Sequence, residues 1–354
     1  MNQQNLFVKG NEALARGAMA AGMDCYFGYP ITPQNDIPEF LSSEMPKAGK
    51  QFLQAESEVA AINMVLGACA TGKLSMTSSS SPGVSLMQEG ISYLAGAQLP
   101  GVIVNVSRGG PGIGDLGASQ SDYFQATRGG GHGDYRTLVI APSTAQESFD
   151  MAIEAFRLAF KYRNPVLLLT DAIIGHVKES IVAYTPEPID TKAGDWCLGF
   201  DRDAKGRHLH SQCLTKNQPL APHTILLKEK YEKMQDEVLF EEYLTDDADF
   251  VVVAYGSIAR VLKNTIDNLR RDGHKIGLFR PITLYPFPSS ALRKLATGNR
   301  RFMTIEQNLG QMVEDVRLAL AGNAESAFYG QLPGTIANPD DFYLPVLDTY
   351  KGEQ

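Results

Sequence analysis

Residues 51–67 read QFLQAESEVAAINMVLG: a strand-like run, Glu56 and Glu58 two apart, then small and apolar residues at helical spacing with no further charge. A carboxylate at that hand-over complements a helix dipole, and it is also placed for chemistry at a strand end. Three other strand-like runs end in segments of comparable chemistry: Tyr29-Pro30-Ile31-Thr32-Pro33, the turn Ser78-Ser79-Ser80-Ser81-Pro82-Gly83, and Ser107-Arg108-Gly109-Gly110. Singly, each has a structural explanation: Thr32 as a helix cap, the serines as a turn, a first-turn glutamate as a dipole partner, Arg108 as a surface or phosphate-facing cation. In an open α/β sheet, however, the working crevice lies beyond the carboxyl ends of the strands, so topology converges all four on one rim.

The elements that must position this rim alternate along the chain. Asn11 to Gly22 has helical spacing and a glycine stop, DCYFGYPI reads as a strand, and PQNDIPEFLSSEM as a helix opening after a proline. The alternation continues through QFLQA, ESEVAAINMVLGACATG, KLSMTSS, PGVSLMQEGISYLAGAQ, GVIVNVSR, RTLVIAPST, AQESFDMAIEAFRLAFKYR and PVLLLTDAII. Strands apolar throughout are what a parallel sheet covered on both faces requires. Residues 1–184 are therefore read as one doubly wound α/β domain. The pattern fails over 185–246, read as a linker or insertion, and returns over 247–354 as a second, smaller α/β domain with DFVVVAYGS, KIGLFRPITLYP and RRFMTIEQN as strands.

Composition limits the function. The 354 residues are 44% hydrophobic and 20% charged with a net charge of −8, ordinary for a globular protein and lacking the concentrated Lys and Arg footprint that nucleic acid needs. No run of eighteen apolar residues and no secretory-type leader is present, so no membrane span and a cytoplasmic location are expected. Cysteines 25, 69, 197 and 213 form no CxxC pair, so any iron-sulfur chemistry must come from another chain. Cys197, His208, His210 and Cys213 match no standard zinc spacing, and a solvated loop is the preferred reading. Gly112, Gly114 and Gly117 have GxGxxG spacing after a strand, but they come late in the chain and lack a clean following strand. A mobile loop over a site is preferred to a nicotinamide site.

With YPITP, QAESEVAA, the Ser-Pro-Gly turn, LPGVIVNVSRGGPG and SDYFQATRGGGHGDYR in this order, the chain resembles the alpha subunit of the 2-oxoacid:ferredoxin oxidoreductases. Within the family it is most similar to the branched-chain type acting on 3-methyl-2-oxobutanoate, with the 2-oxoglutarate type as the near rival. A non-catalytic subunit that binds a partner or an effector is the reading of a different class.

The resemblance implies a pyrimidine-binding domain of a thiamine diphosphate enzyme over 1–184, and a transketolase C-terminal-like domain over 247–354. It implies that Glu58, not Glu56, bonds to the aminopyrimidine ring nitrogen, Glu56 facing solvent. A carboxylate suits that role because it stabilises a protonated ring nitrogen in a water-poor pocket. It implies that Arg108 receives the substrate carboxylate through two parallel hydrogen bonds, and that Thr32 donates to substrate or cofactor. Ser81 belongs to the same rim and receives no role. The family holds the diphosphate and its magnesium with a Gly-Asp-Gly segment, which this sequence lacks. The resemblance thus implies a hetero-oligomer: a beta subunit carrying the diphosphate domain and the magnesium, iron-sulfur clusters on beta or ferredoxin-like gamma chains, ferredoxin as electron acceptor, and coenzyme A as co-substrate.

Overall fold

The computed structural model describes residues 4–192, 196–198 and 219–352. Its larger sheet has seven strands in the order Thr283–Tyr285, Leu138–Ile140, Val166–Asp171, Gly101–Ser107, Ser75–Ser79, Cys25–Gly28 and Gln51–Gln54. All neighbours are parallel except Thr283–Tyr285, which runs antiparallel to Leu138–Ile140. The central strands Gly101–Ser107 and Val166–Asp171 are buried at every position, which is why they read as continuous apolar runs. A five-stranded sheet, ordered Ser326–Gly330, Arg301–Glu306, Phe250–Val253, Ile276–Pro281 and Phe240–Tyr243, forms the second unit, its last strand antiparallel.

Three features depart from a simple linear division of the chain. The strand Gln4–Lys9 does not enter the larger sheet but pairs antiparallel with Lys178–Ala183. Within 185–246, the helix Leu220–Lys233 and the strand Phe240–Tyr243 are ordered elements, and the strand is the edge of the second sheet. Finally, Thr283–Tyr285 comes from the second unit's stretch of sequence yet closes the edge of the first sheet.

A polar seam joins the two units. The buried Gln120 donates its main-chain N–H to the Gln307 carbonyl (2.9 Å) and accepts from the Gln307 N–H through Oε1 (3.0 Å). Its Nε2 donates to the Tyr255 carbonyl (2.9 Å), and its own carbonyl accepts from Asn308 Nδ2 (2.9 Å). Further along the seam, Arg280 bonds both oxygens of Glu147 (2.6 and 2.8 Å), Ser143 Oγ (2.7 Å) and Glu241 (2.8 Å). Burial works to raise the Glu147 carboxyl, but the hydrogen bonds and charge of Arg280 outweigh it and hold Glu147 below the ordinary carboxylate range.

Candidate active-site rim

Ser57 sets the position of Glu58. Its extended backbone and its hydroxyl, which accepts from the Ala60 N–H (3.2 Å), end the strand segment and start the helix Glu58–Ala70. Glu58 is the first helical residue and turns inward, only 5% exposed, whereas Glu56 lies outside the helix and is exposed. The carboxylate meets the start of the helix Ser81–Gly96. A Cβ at Gly83 would lie 2.5 Å from Glu58 Oε1 and 2.0 Å from Ser79 Oγ, so only a bare α-carbon lets that helix approach the acid. Among the described residues the one hydrogen bond to this carboxylate is a long donation from Ser79 Oγ, 3.5 Å. A nearly buried carboxylate with so little pairing is energetically unfavourable unless something else donates to it.

Arg108 follows the strand Gly101–Ser107 and is also 5% exposed. Nη1 donates to the Thr32 carbonyl (2.8 Å) and Nη2 to the Ile113 carbonyl (2.8 Å), while the buried Nε–H has no acceptor. Thr32 thus reaches Arg108 through its main chain. Its hydroxyl has a 3.5 Å contact from Asn35 Nδ2 and is otherwise available.

The structure brings the three sequence-derived residues onto one rim. Ser79, against Glu58, ends the strand next to Gly101–Ser107; two residues on, Ser81 Oγ accepts from the Arg108 N–H (2.9 Å); and Arg108 in turn holds Thr32. The glycines at 112, 114 and 117 do not open a helix. Asp115 N–H donates to the Gly109 carbonyl and Gly109 N–H to the Gly117 carbonyl, folding the segment back on itself, and the next helix, Tyr123–Arg128, is six residues long. That geometry does not fit a dinucleotide fingerprint, whose glycines lead directly into a helix N-terminus. The loop's visible work is to supply the Ile113 carbonyl to Arg108, while its Ile113 side chain is 83% exposed.

Sequence reasoning missed the neighbour that organises this rim. Asp122 Oδ2 accepts from Ser81 Oγ (2.6 Å), Asn105 Nδ2 (2.9 Å) and Ser107 Oγ (2.9 Å). No local spacing announces it, because its three donors lie 15 to 41 residues away. The zinc reading rests on His208, His210 and Cys213, which lie outside the described residues; Cys197 is a buried free thiol. Two clefts, of about 520 and 650 Å³, lie on either side of the helix Leu220–Lys233, and neither is lined by Glu58, Arg108 or Thr32.

The family described as pyruvate flavodoxin/ferredoxin oxidoreductase, thiamine diphosphate-binding, matches residues 16–238, and pyruvate:ferredoxin oxidoreductase core domain II matches 248–342. The ketoisovalerate oxidoreductase subunit VorB of Methanothermobacter thermautotrophicus is 50% identical over 88% of this chain and 89% of its own length. The 2-oxoglutarate synthase subunit KorA of Methanocaldococcus jannaschii is 36% identical over 96% of this chain and 99% of its own. Among solved structures, the 2-oxoglutarate:ferredoxin oxidoreductase of Magnetococcus marinus, with 2-oxoglutarate, coenzyme A and succinyl-CoA bound, superposes with a TM-score of 0.87 at 24% identity. It covers 98% of this chain, which spans 65% of that chain's length. A split-gene transketolase, an inactive beta4 tetramer, shares the fold at a TM-score of 0.62 and 13% identity over 98% of this chain and 99% of its own.

Proposed function

Since the chain belongs to the 2-oxoacid:ferredoxin oxidoreductase family, we propose that it is the pyrimidine-side subunit of an enzyme for branched-chain 2-oxoacids. The reaction is the oxidative decarboxylation of 3-methyl-2-oxobutanoate to its acyl-CoA and carbon dioxide, with two electrons passing to ferredoxin. The observation that carries the chemical part is the nearly buried, under-bonded Glu58 at the rim. The preference for a branched-chain substrate rests on the relative named for ketoisovalerate, at 50% identity, against 36% for the one named for 2-oxoglutarate.

The residues present fit the pyrimidine half of thiamine diphosphate. Glu58 has one oxygen with a single long contact and, among the described residues, no hydrogen bond to the other, which suits a donor from an aromatic nitrogen. When bound, the cofactor supplies a nucleophilic carbon and an electron sink for the departing carboxylate's electrons. Glu58 holds a proton at the pyrimidine nitrogen, Arg108 orients the substrate carboxylate with its Nε–H and remaining terminal hydrogens, and the Thr32 hydroxyl donates at the same rim. The diphosphate, its magnesium and the iron-sulfur clusters are assigned to partner subunits, and coenzyme A to the assembled enzyme.

A partner over the rim is supported by the surface around Glu58. The helix Glu58–Ala70 carries no charge after its first residue, and exposed apolar side chains stand next to Glu58 in sequence (Val59), on the helix that opens at Ser81 (Leu86), and in the loop whose carbonyl bonds Arg108 (Ile113, Leu116). The testing experiment is a panel of 2-oxoacids assayed on the complex reconstituted with its partner subunits, with ferredoxin reduction as the readout. The highest kcat/KM is expected for 3-methyl-2-oxobutanoate; a preference for 2-oxoglutarate would transfer the assignment to the rival named by the KorA relative.

A further inference from the structure

We propose that Asp122 is a positioning residue for Arg108, and that the second unit of the molecule holds Asp122 in place. The inference rests on the reading of Arg108 as the group that receives the substrate carboxylate. Three donors from two segments end on one oxygen of Asp122: Ser81 at the start of a helix, and Asn105 within a central strand with Ser107 at that strand's end. Ser81 has a single hydroxyl hydrogen, and its 2.6 Å donation to Asp122 turns the hydroxyl's lone pairs toward the Arg108 N–H, which donates to it at 2.9 Å. Asn105 braces the same point from the other side, its Oδ1 accepting from the Ser81 N–H (3.0 Å). The carboxylate therefore fixes the main chain from which the Arg108 side chain departs. Charge-assisted bonds are the strong class for this task, since each is shorter and stiffer than its neutral counterpart.

Asp122 is itself anchored from the opposite side. The segment carrying it is bonded to the second unit on both flanks: at Gln120 by its five bonds to Tyr255, Gln307 and Asn308, at the Ser121 carbonyl by Gln311 Nε2 (2.7 Å), and at the Phe124 N–H by Gln311 Oε1 (2.8 Å). Asp122 stands between these anchors and is the residue that reaches back to the rim. The path runs from the seam, through one carboxylate and one hydroxyl, to the arginine. The second unit's contribution is thus to the placement of a substrate-binding group as well as to the seam itself.

The test is made on the complex reconstituted with its partner subunits, comparing Asp122→Ala, Asp122→Asn, Ser81→Ala, Arg108→Lys and the double variant Asp122→Ala/Arg108→Lys. Asp122→Ala is expected to raise the 2-oxoacid KM roughly tenfold or more, the scale of a lost hydrogen bond to a charged group, with kcat reduced less and thiamine diphosphate affinity unchanged. Asp122→Asn, whose amide oxygen accepts the same three donors, is expected to recover most of that loss. Ser81→Ala, which deletes one hydroxyl and keeps the fold should Asp122→Ala fail to assemble, is expected to shift KM in the same direction. The double variant is expected to be little worse than Arg108→Lys alone, because both changes remove the same placement. A damaging Arg108→Lys beside KM values left unchanged by Asp122→Ala and Ser81→Ala overturns this inference alone, and so do fully multiplicative effects in the double variant. An Arg108→Lys without effect on KM overturns the carboxylate reading and this inference with it.

Discussion

Two buried glutamates, one in each half of the molecule, have opposite surroundings. Glu306, fully buried at the end of the strand Arg301–Glu306, accepts from the N–H groups of Gln311, Met312 and Val313 (3.0, 2.8 and 3.0 Å) and from Asn308 Nδ2 (2.8 Å). It caps the helix Met312–Leu320 and leaves no oxygen wanting a donor. Burial still raises its carboxyl above the ordinary range, against those bonds. Glu58, almost as buried, has one 3.5 Å contact. Burial alone therefore does not mark a working carboxylate; the proposed role of Glu58 rests on its unused bonding capacity at a strand-end rim.

The sharpest way to break this contrast is to remove each charge with the shape retained. In the reconstituted complex Glu58→Gln is expected to lower turnover by several orders of magnitude with assembly and Tm nearly unchanged, while Glu56→Gln, at an exposed position, is expected to stay close to the parent. If Glu56→Gln were the damaging change, the assignment would be displaced by two residues. Glu306→Ala should do the reverse and act on stability. Leaving several buried donors without an acceptor is expected to cost about 3 kcal/mol or more in a denaturant titration. An unaltered midpoint would mean that the capping bonds are not holding the second unit together.

The seam supplies a smaller, pH-dependent effect. Glu147 is held below the ordinary carboxylate range in the folded chain, so its contribution is fully present above its unfolded pKa and is lost as pH falls through the lower folded value. The parent's Tm is expected to fall more steeply on acidification below about pH 4.3 than that of Glu147→Gln, which has nothing to protonate there. Parallel Tm curves for the two proteins would contradict the assignment of this seam to the Arg280 pair.

How much of this was legible in the sequence depended on distance along the chain. The Glu56 and Glu58 pair stood out at the hand-over from a strand to an uncharged helix, and Arg108 just after a mostly apolar strand, while the choice of Glu58 over Glu56 and the role of Arg108 came from the family resemblance. The Asp122 cluster and the Gln120 seam were not legible: Gln120 and Gln307 lie 187 residues apart, and neither has an unusual local pattern. Thr283–Tyr285 reads as the continuation of KIGLFRPITLYP, and only the break between Pro281 and Thr283 lets the chain leave one sheet and join the other. The helix Pro339–Lys351, which the structure closes with a capping box between Asn338 and Asp341, was not legible in the sequence, since its interior Pro345 masks the periodicity that would have named it.

The central claim is that this chain carries one half of a thiamine diphosphate site, centred on Glu58. Calorimetric titration of magnesium and thiamine diphosphate into the chain alone, and then into the chain with its partner subunits, tests it most directly. The chain alone is expected to give weak or no binding, because the cofactor's charge sits on a diphosphate that Glu58 does not reach, and tight magnesium-dependent binding is expected only with the partners, reduced by Glu58→Gln. A micromolar or tighter magnesium-dependent isotherm from the chain alone would contradict the shared site.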